Sequence, residues 1–305
     1  MFHMASILPL LSLFHDGGSC LTDDKVDIDR AVEQIQKHRA TFLYPAFPAI
    51  MAELVNHPDL KLDEIDYVRL INNVGSAQAL RENMRVWPSA THISAFGMTE
   101  LSGIGSHTDP ADSPQIRAET CGKPYEGVEV QVVEPDTGRI CKADEQGELY
   151  VRGFLVFEGY YKQPDETAKA IDDQGWFHTG DLGYLDERGF LFISGRQSDM
   201  YISGGSNVYP KEVEEVILNH PNVAEVAIVG MPDPKWGEVG VAVIVKRDEH
   251  KNLTGEDILA FLDGKTARYR WPRHIQFWSA LPKSGYGKVA KKDIQALLQQ
   301  QEHSQ

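Results

Sequence analysis

The sequence predicts an α/β protein in two parts: a parallel sheet layer with β-hairpins over residues 1–197, then a small α+β domain over 198–305. Three observations predict it. From about residue 25 to 95, short apolar runs of strand length alternate with segments of helical periodicity, the pattern of a parallel layer. From 127 to 152 the apolar period falls to two around the turn Asp136-Thr137-Gly138, which reads as β-hairpins. Beyond 198 helices and strands alternate again over about 100 residues, a common size for an independent domain.

The elements follow in order. Residues 5–14 are apolar, but no Lys or Arg precedes them (the first is Lys25), and the run is too short to span a bilayer. It reads as buried core. Val26, Ile28, Ala31, Val32 and Ile35 recur at helical spacing, residues 41–44 look extended, and 49–55 are again helical. Residues 67–72 read as a buried strand ending at Asn73-Val74-Gly75-Ser76, with a helix over 78–86 and a strand over 91–95. In the second part the spacing predicts a helix at 211–219 and strands at 224–229 and 239–245. A helix at 256–267 capped by Thr254, a strand at 274–277 and a helix from 291 follow, with 299–305 frayed. Gly264-Lys265-Thr266 lacks the upstream Gly of a phosphate loop and reads as a helix end.

Composition narrows the function. A formal charge of −15 argues against a nucleic-acid or anionic membrane surface as main partner. Residues 268–273 and 283–292 are locally basic and could meet an anionic cofactor. Cys20, Cys121 and Cys141 have neither a disulfide-framework pattern nor CxxC spacing, which suits a reducing cytoplasm.

The chemistry concentrates in 176–214. His178-Thr179-Gly180-Asp181 supplies a carboxylate able to accept from both ribose hydroxyls, or a turn-capping Asp. Gly195-Arg196-Gln197-Ser198-Asp199 supplies a permanently charged planar donor, apt for ribose or phosphate oxygens, or a solvated surface Arg. Ser203-Gly204-Gly205-Ser206 is a flexible bend, Phe96-Gly97-Met98-Thr99-Glu100 follows a strand, and Pro282-Lys283-Ser284-Gly285-Tyr286-Gly287-Lys288 is a Gly-rich loop ending in Lys.

Together these resemble the adenylate-forming family of acyl-CoA synthetases, aryl-CoA ligases, luciferases and peptide-synthetase adenylation domains. The resemblance covers nearly all of this chain and the latter half or so of a full member. It implies that Phe96 packs on adenine, Thr99 contacts the α-phosphate and Glu100 helps hold Mg²⁺. Gly75, Ser76 and Ala77 match a Gly-Gly-Ala-like turn against adenine, with Ser76 a departure from the second Gly. The resemblance also puts Gly97 and Met98, with His3, beside the acyl group. Asp181 and Arg196 would hold the ribose and phosphate, and Ser198 stands at the family's inter-domain hinge, where Asp or Lys is usual. Gly204 and Gly205 would line the tunnel for the pantetheine arm of CoA, a reading compatible with a plain hairpin turn. Trp236 matches a position near CoA and equally reads as core. Lys288 would bridge the carboxylate and the α-phosphate as pyrophosphate leaves.

Amino-acid-activating members usually carry Asp where His3 stands, so His3 points to a fatty, aryl or other acid without an α-amino group. His15 and His92 show no ligand spacing and read as structural. The family's Ser/Thr/Gly-rich phosphate loop has no counterpart here. The expectation is therefore a shortened gene, a chain working with a partner that supplies the first half, or a degenerate protein; a homo-oligomer is also possible. The resemblance implies an ATP-dependent carboxylate–CoA ligase using ATP, Mg²⁺ and coenzyme A. The alternative is a non-catalytic nucleotide- or CoA-binding remnant; a luciferase-like oxidation is a third possibility.

Overall fold

A five-stranded sheet organises the first part of the chain, and the order of its strands places the candidate turns. The computed structural model describes residues 4–23, 25–45, 47–247, 252–284 and 288–302. They fall into two units: Met1–Thr179 with Gly183–Ile193, and Gly180–Leu182 with Ser194–Gln305.

In the first unit α1 (Met4–His15) and α2 (Ile28–His38) precede β1 (Phe42–Leu43), α3 (Pro48–Val55), β2 (Leu70–Asn73), α4 (Ala77–Val86) and β3 (Thr91–Phe96). Then come β4 (Ser106–His107), α5 (Pro114–Glu119) and β5 (Lys123–Pro124). The sheet runs β1-β2-β3-β4-β5. β1, β2 and β3 pair in parallel, whereas β4 and β5 are antiparallel, so the layer is mixed rather than wholly parallel. The connection from Phe96 to Ser106 is too short for a crossover, and the chain must double back. α2 starts at the Asp27 cap, which accepts from the Arg30 amide, leaving Val26 outside the helix and 70% exposed. Val32 and Ile35 turn inward to join Leu43, Met51, Leu54, Val68, Ile71 and Trp87 in one core.

The apolar run 5–14 does fold as helix, but it is not core: Leu11 and Phe14 are 59% and 66% exposed. A helix apolar on all sides needs cover all round, and none of its residues belongs to a core cluster among the described residues.

A second sheet, β6 (Val128–Val133), β7 (Gly147–Gly153), β8 (Phe177–Leu185) and β9 (Leu191–Arg196), follows in sequence order, with α6 (Pro164–Ala170) between β7 and β8. β6 and β7 form the antiparallel hairpin that the period of two predicts. Gly183 is required where β8 passes β9, because a Cβ there would strike the Phe192 carbonyl oxygen.

The second unit holds β10 (Tyr201–Ser203), β11 (Ser206–Val208), α7 (Pro210–Leu218), β12 (Val223–Asp233), β13 (Gly237–Lys246), α8 (Gly255–Leu262), β14 (His274–Trp278) and α9 (Lys291–Glu302). Its sheet is buried on both faces, and the strand period shows why. Val226, Ile228, Ala242 and Ile244 face the side of α7 and α8, while Ala227, Val229, Val241 and Val243 face Ile294 and Leu298 of α9. Each fully buried aliphatic side chain here contributes about 1.5–3 kcal/mol. Thr254 and Asp257 form a reciprocal capping box at α8. α8 ends at Leu262, earlier than its apolar pattern suggests, so Gly264 lies in the turn beyond it. α9 extends to Glu302, so residues 299–302 are helical rather than frayed.

Candidate active site

The first unit carries two turns at the carboxyl ends of neighbouring parallel strands, where open α/β sheets generally bind ligands. After β2 comes Gly75-Ser76-Ala77. The Ser76 hydroxyl caps α4 by accepting from the Ala79 amide at 3.3 Å, which accounts for Ser where the resemblance expects Gly. A Cβ at Gly75 would meet only ordinary contacts, the nearest Ala79 Cβ at 3.6 Å, so the fold itself does not demand glycine there. Beneath this turn His92 is buried and neutral. Its Nε2–H donates to the Trp87 carbonyl (2.9 Å), its Nδ1 accepts from the Asn73 amide (2.6 Å), and burial holds its pKa down.

After β3, Phe96 is 8% exposed and packs into a core with Leu101, Val132, Leu149 and Phe177, which leaves its ring little free surface. Gly97 is needed sterically: a Cβ would collide with the Gly103 carbonyl oxygen and sit 2.7 Å from Ile104 Cα. The turn closes through the Met98 carbonyl, which accepts from Leu101 (3.0 Å) and Gly103 (3.1 Å). Thr99 is exposed and Glu100 is half-buried. Tyr160 donates its hydroxyl to Glu100 Oε1 at 3.0 Å, and the Phe157 amide donates to the Glu100 carbonyl at 2.9 Å. Tyr160 therefore orients this carboxylate, a partner sixty residues away that no local pattern signals. A single oriented carboxylate fits Mg²⁺, which takes one or two carboxylates and completes its shell with phosphate oxygens and water. No group of three or more His, Cys, Asp and Glu side chains among the described residues forms a metal cage.

The second unit, taken by itself, carries the charged set. The Asp181 side chain is 8% exposed and accepts from Arg196 Nε at 2.9 Å, while Arg196 is 59% exposed. Burial pushes the Asp181 carboxyl up from its ordinary value; Arg196, then Lys211 and Lys288, oppose that rise. Lys288 is exposed, and its backbone is fixed by the Ser284 amide donating to its carbonyl at 2.8 Å and by the Lys283–Val289 bridge. Residues 285–287 of this loop lie outside the described residues, as does His3. Ser198 is exposed in a one-turn 3₁₀ segment, Gln197–Asp199, with no buried side chain.

Gly204 and Gly205 form the two-residue loop of the β10–β11 hairpin, with φ of +58° and +83°. Gly204 also donates its amide to the Trp236 carbonyl at 2.8 Å, and its missing Cβ would stand 2.8 Å from the Trp236 ring. Trp236 is half-buried rather than core, and the Arg273 guanidinium lies over its ring, 4.2 Å from the centroid. Gly205→Ala should therefore lose about 1 kcal/mol from backbone strain alone. Gly204→Ala should lose roughly a further 1 kcal/mol by displacing the indole, a difference readable from urea unfolding midpoints.

An α/β layer bearing a Gly-x-Thr-Glu turn, followed by a small unit carrying a buried carboxylate, an arginine and a loop lysine, is the architecture of adenylate-forming enzymes. Residues 1–161 match the model of the AMP-binding enzyme family and 212–288 that of the AMP-binding enzyme C-terminal domain; the chain belongs to this family. An indoleacetate–CoA ligase of Aromatoleum aromaticum is 33% identical over 96% of this chain and 59% of its own length. The medium-chain acyl-CoA ligase ACSF2 of Bos taurus is 31% identical over 95% and 48%. The crystal structure of ATP-bound MatB from Rhodopseudomonas palustris superposes with a TM-score of 0.80 at 31% identity, covering 92% of this chain and 55% of that one. The chain thus spans about half the length of the relatives it matches. Among the described residues, no helix is long and apolar enough to cross a membrane.

Proposed function

We propose that this chain serves an ATP-dependent carboxylate–CoA ligase, in the part that holds the adenosine and presents the second substrate. The observation that carries the reading is the buried Asp181 paired to Arg196 in the same unit as Lys288. A buried carboxylate raised in pKa is an expensive structural element, and a nucleoside ribose gives it two donors. In the first step a carboxylate oxygen of the acid bonds to Pα of ATP, the Pα–O bond to pyrophosphate breaks, and an acyl-adenylate forms. Lys288 offsets the repulsion of the two anions as they meet. In the second, the CoA sulfur bonds to the acyl carbon, AMP leaves, and the thiol proton is lost to solvent. Thr99 would contact the α-phosphate, and Gly75–Ala77 with Gly97 would flank the adenine. Mg²⁺ held by Glu100 and phosphate oxygens would supply charge neutralisation.

The Gly204–Gly205 bend beside Trp236 suits the pantetheine arm, and Arg268, Arg270 and Arg273 put positive charge on the same unit for the CoA phosphates. Ser198 is the proposed pivot between the two half-reactions. The acid is a fatty or aromatic one, a class supported by the names of the relatives and by His3. No disulfide joins Cys20, Cys121 or Cys141, which suits a reducing compartment.

Carboxylate-dependent ATP–pyrophosphate exchange over a panel of fatty and aromatic acids tests the reading. Exchange by the purified chain, or by the chain supplemented with a first-half fragment of a relative, is the expected result. AMP binding without exchange in either case would instead favour a non-catalytic nucleotide-binding protein.

A further inference from the structure

The half-buried Glu100 carboxylate has one side-chain partner among the described residues, the Tyr160 hydroxyl, which donates to Oε1 at 3.0 Å. No Lys, Arg or His among them pairs with it, and its Oε2 accepts from none of them. A neutral donor orients a carboxylate without cancelling its charge, as an arginine or lysine in the same place would. The hydroxyl is itself set from α6. The Tyr160 amide donates to Thr167 Oγ1 at 2.9 Å, and that hydroxyl donates to the Gln163 carbonyl at 2.9 Å, tying the loop before α6 onto its helix. The close approach needs glycine at 159, where a Cβ would stand 2.6 Å from Thr167 Cγ2 and 2.8 Å from Oγ1. The Phe157 amide already fastens this segment to the Glu100 carbonyl at 2.9 Å, and the Phe157 ring meets the Tyr160 ring edge-on at 4.8 Å. The attachment therefore does not depend on the Tyr160 hydroxyl.

We propose that Tyr160, held in place by Thr167, is a positioning residue for the cation that Glu100 takes: it fixes Oε1 and leaves Oε2, still fully charged, to the Mg²⁺ of an ATP complex. This rests on the metal reading of Glu100. A hydrogen bond behind a ligating carboxylate fixes its orientation before the metal arrives, so less freedom is lost on binding. Thr167 acts one step further back, by setting the backbone from which the tyrosine reaches.

Mn²⁺, which favours the same oxygen ligands and is visible by EPR, tests this on the full chain, alone and beside a first-half fragment of a relative. Loss of the free Mn²⁺ signal is followed in the presence of ATP, and the part that Glu100→Gln abolishes reports the site. Tyr160→Phe should weaken that part about tenfold. Thr167→Val should weaken it less, and Thr167→Ser, which keeps the hydroxyl, should match the parent. ATP binding without metal should be unchanged in Tyr160→Phe, which keeps the ring and the backbone contacts. Unchanged Mn²⁺ affinity in Tyr160→Phe overturns the proposal, as does an equal loss of ATP affinity with and without metal, the mark of a mere brace. A Thr167→Val variant equal to the parent overturns the part given to Thr167. If Glu100→Gln itself holds Mn²⁺ as the parent does, the metal reading fails and the proposal fails with it. A loss in Glu100→Gln beside an inert Tyr160→Phe removes the Tyr160 inference alone.

Discussion

Lys288→Ala is expected to lower carboxylate-dependent ATP–pyrophosphate exchange at least a hundredfold, a loss of about 2.7–4 kcal/mol of transition-state stabilisation. The magnitude follows from the role proposed for the side chain. An anionic carboxylate must approach an anionic phosphate while charge builds on the departing pyrophosphate, and a single mobile ammonium offsets both. The fold should not notice. Lys288 is exposed, and its loop is held by backbone contacts at Ser284, Lys283 and Val289 that an alanine retains. Unfolding free energy should therefore stay within about 0.5 kcal/mol of the parent. Transfer from a preformed acyl-adenylate to CoA should fall much less, because pyrophosphate is no longer leaving. Retained exchange, or an equal loss in both half-reactions, would remove Lys288 from the role assigned to it.

Local chemistry was what the sequence made legible. Thr254 caps its helix where the spacing predicts, and the paired glycines at 204 and 205 turn a hairpin with both φ positive. Asp181, Arg196 and Lys288 fall in one unit, whereas a boundary at 197/198 separates the first two from the third. What escaped were relations between distant residues. Nothing near Glu100 announces Tyr160. The antiparallel return at β4 is set by the length of one connection, which periodicity does not measure. Residues 5–14 show the limit from the other side: an apolar period predicts that a helix needs cover, not that cover is present.

Asp181→Asn should separate function from stability. Nucleotide binding should fall about ten- to a hundredfold, since hydrogen bonds to a charged acceptor are each worth roughly 1.5–3 kcal/mol and the amide keeps only one accepting oxygen. Stability should be unchanged or higher at neutral pH. The carboxyl is buried and its folded pKa lies above the unfolded value, chiefly through desolvation and despite Arg196. The folded state therefore binds the proton more tightly than the unfolded one, and stability falls as pH rises between those two values, then levels off above the folded one. Asparagine does not titrate, so the variant should lack that decline. Arg196 loses its partner but is exposed enough for water to replace it. Thermal melts of both proteins from about pH 4 to 8, beside AMP titrations, give the comparison. A variant that binds AMP like the parent would remove Asp181 from the site. One that melts far below the parent at neutral pH would make the Asp181–Arg196 pair a structural element. A site residue that weakens the fold it sits in is the expected signature of a group kept for its ligand, because on the proposed reading burial of the charge is offset only when a ribose binds.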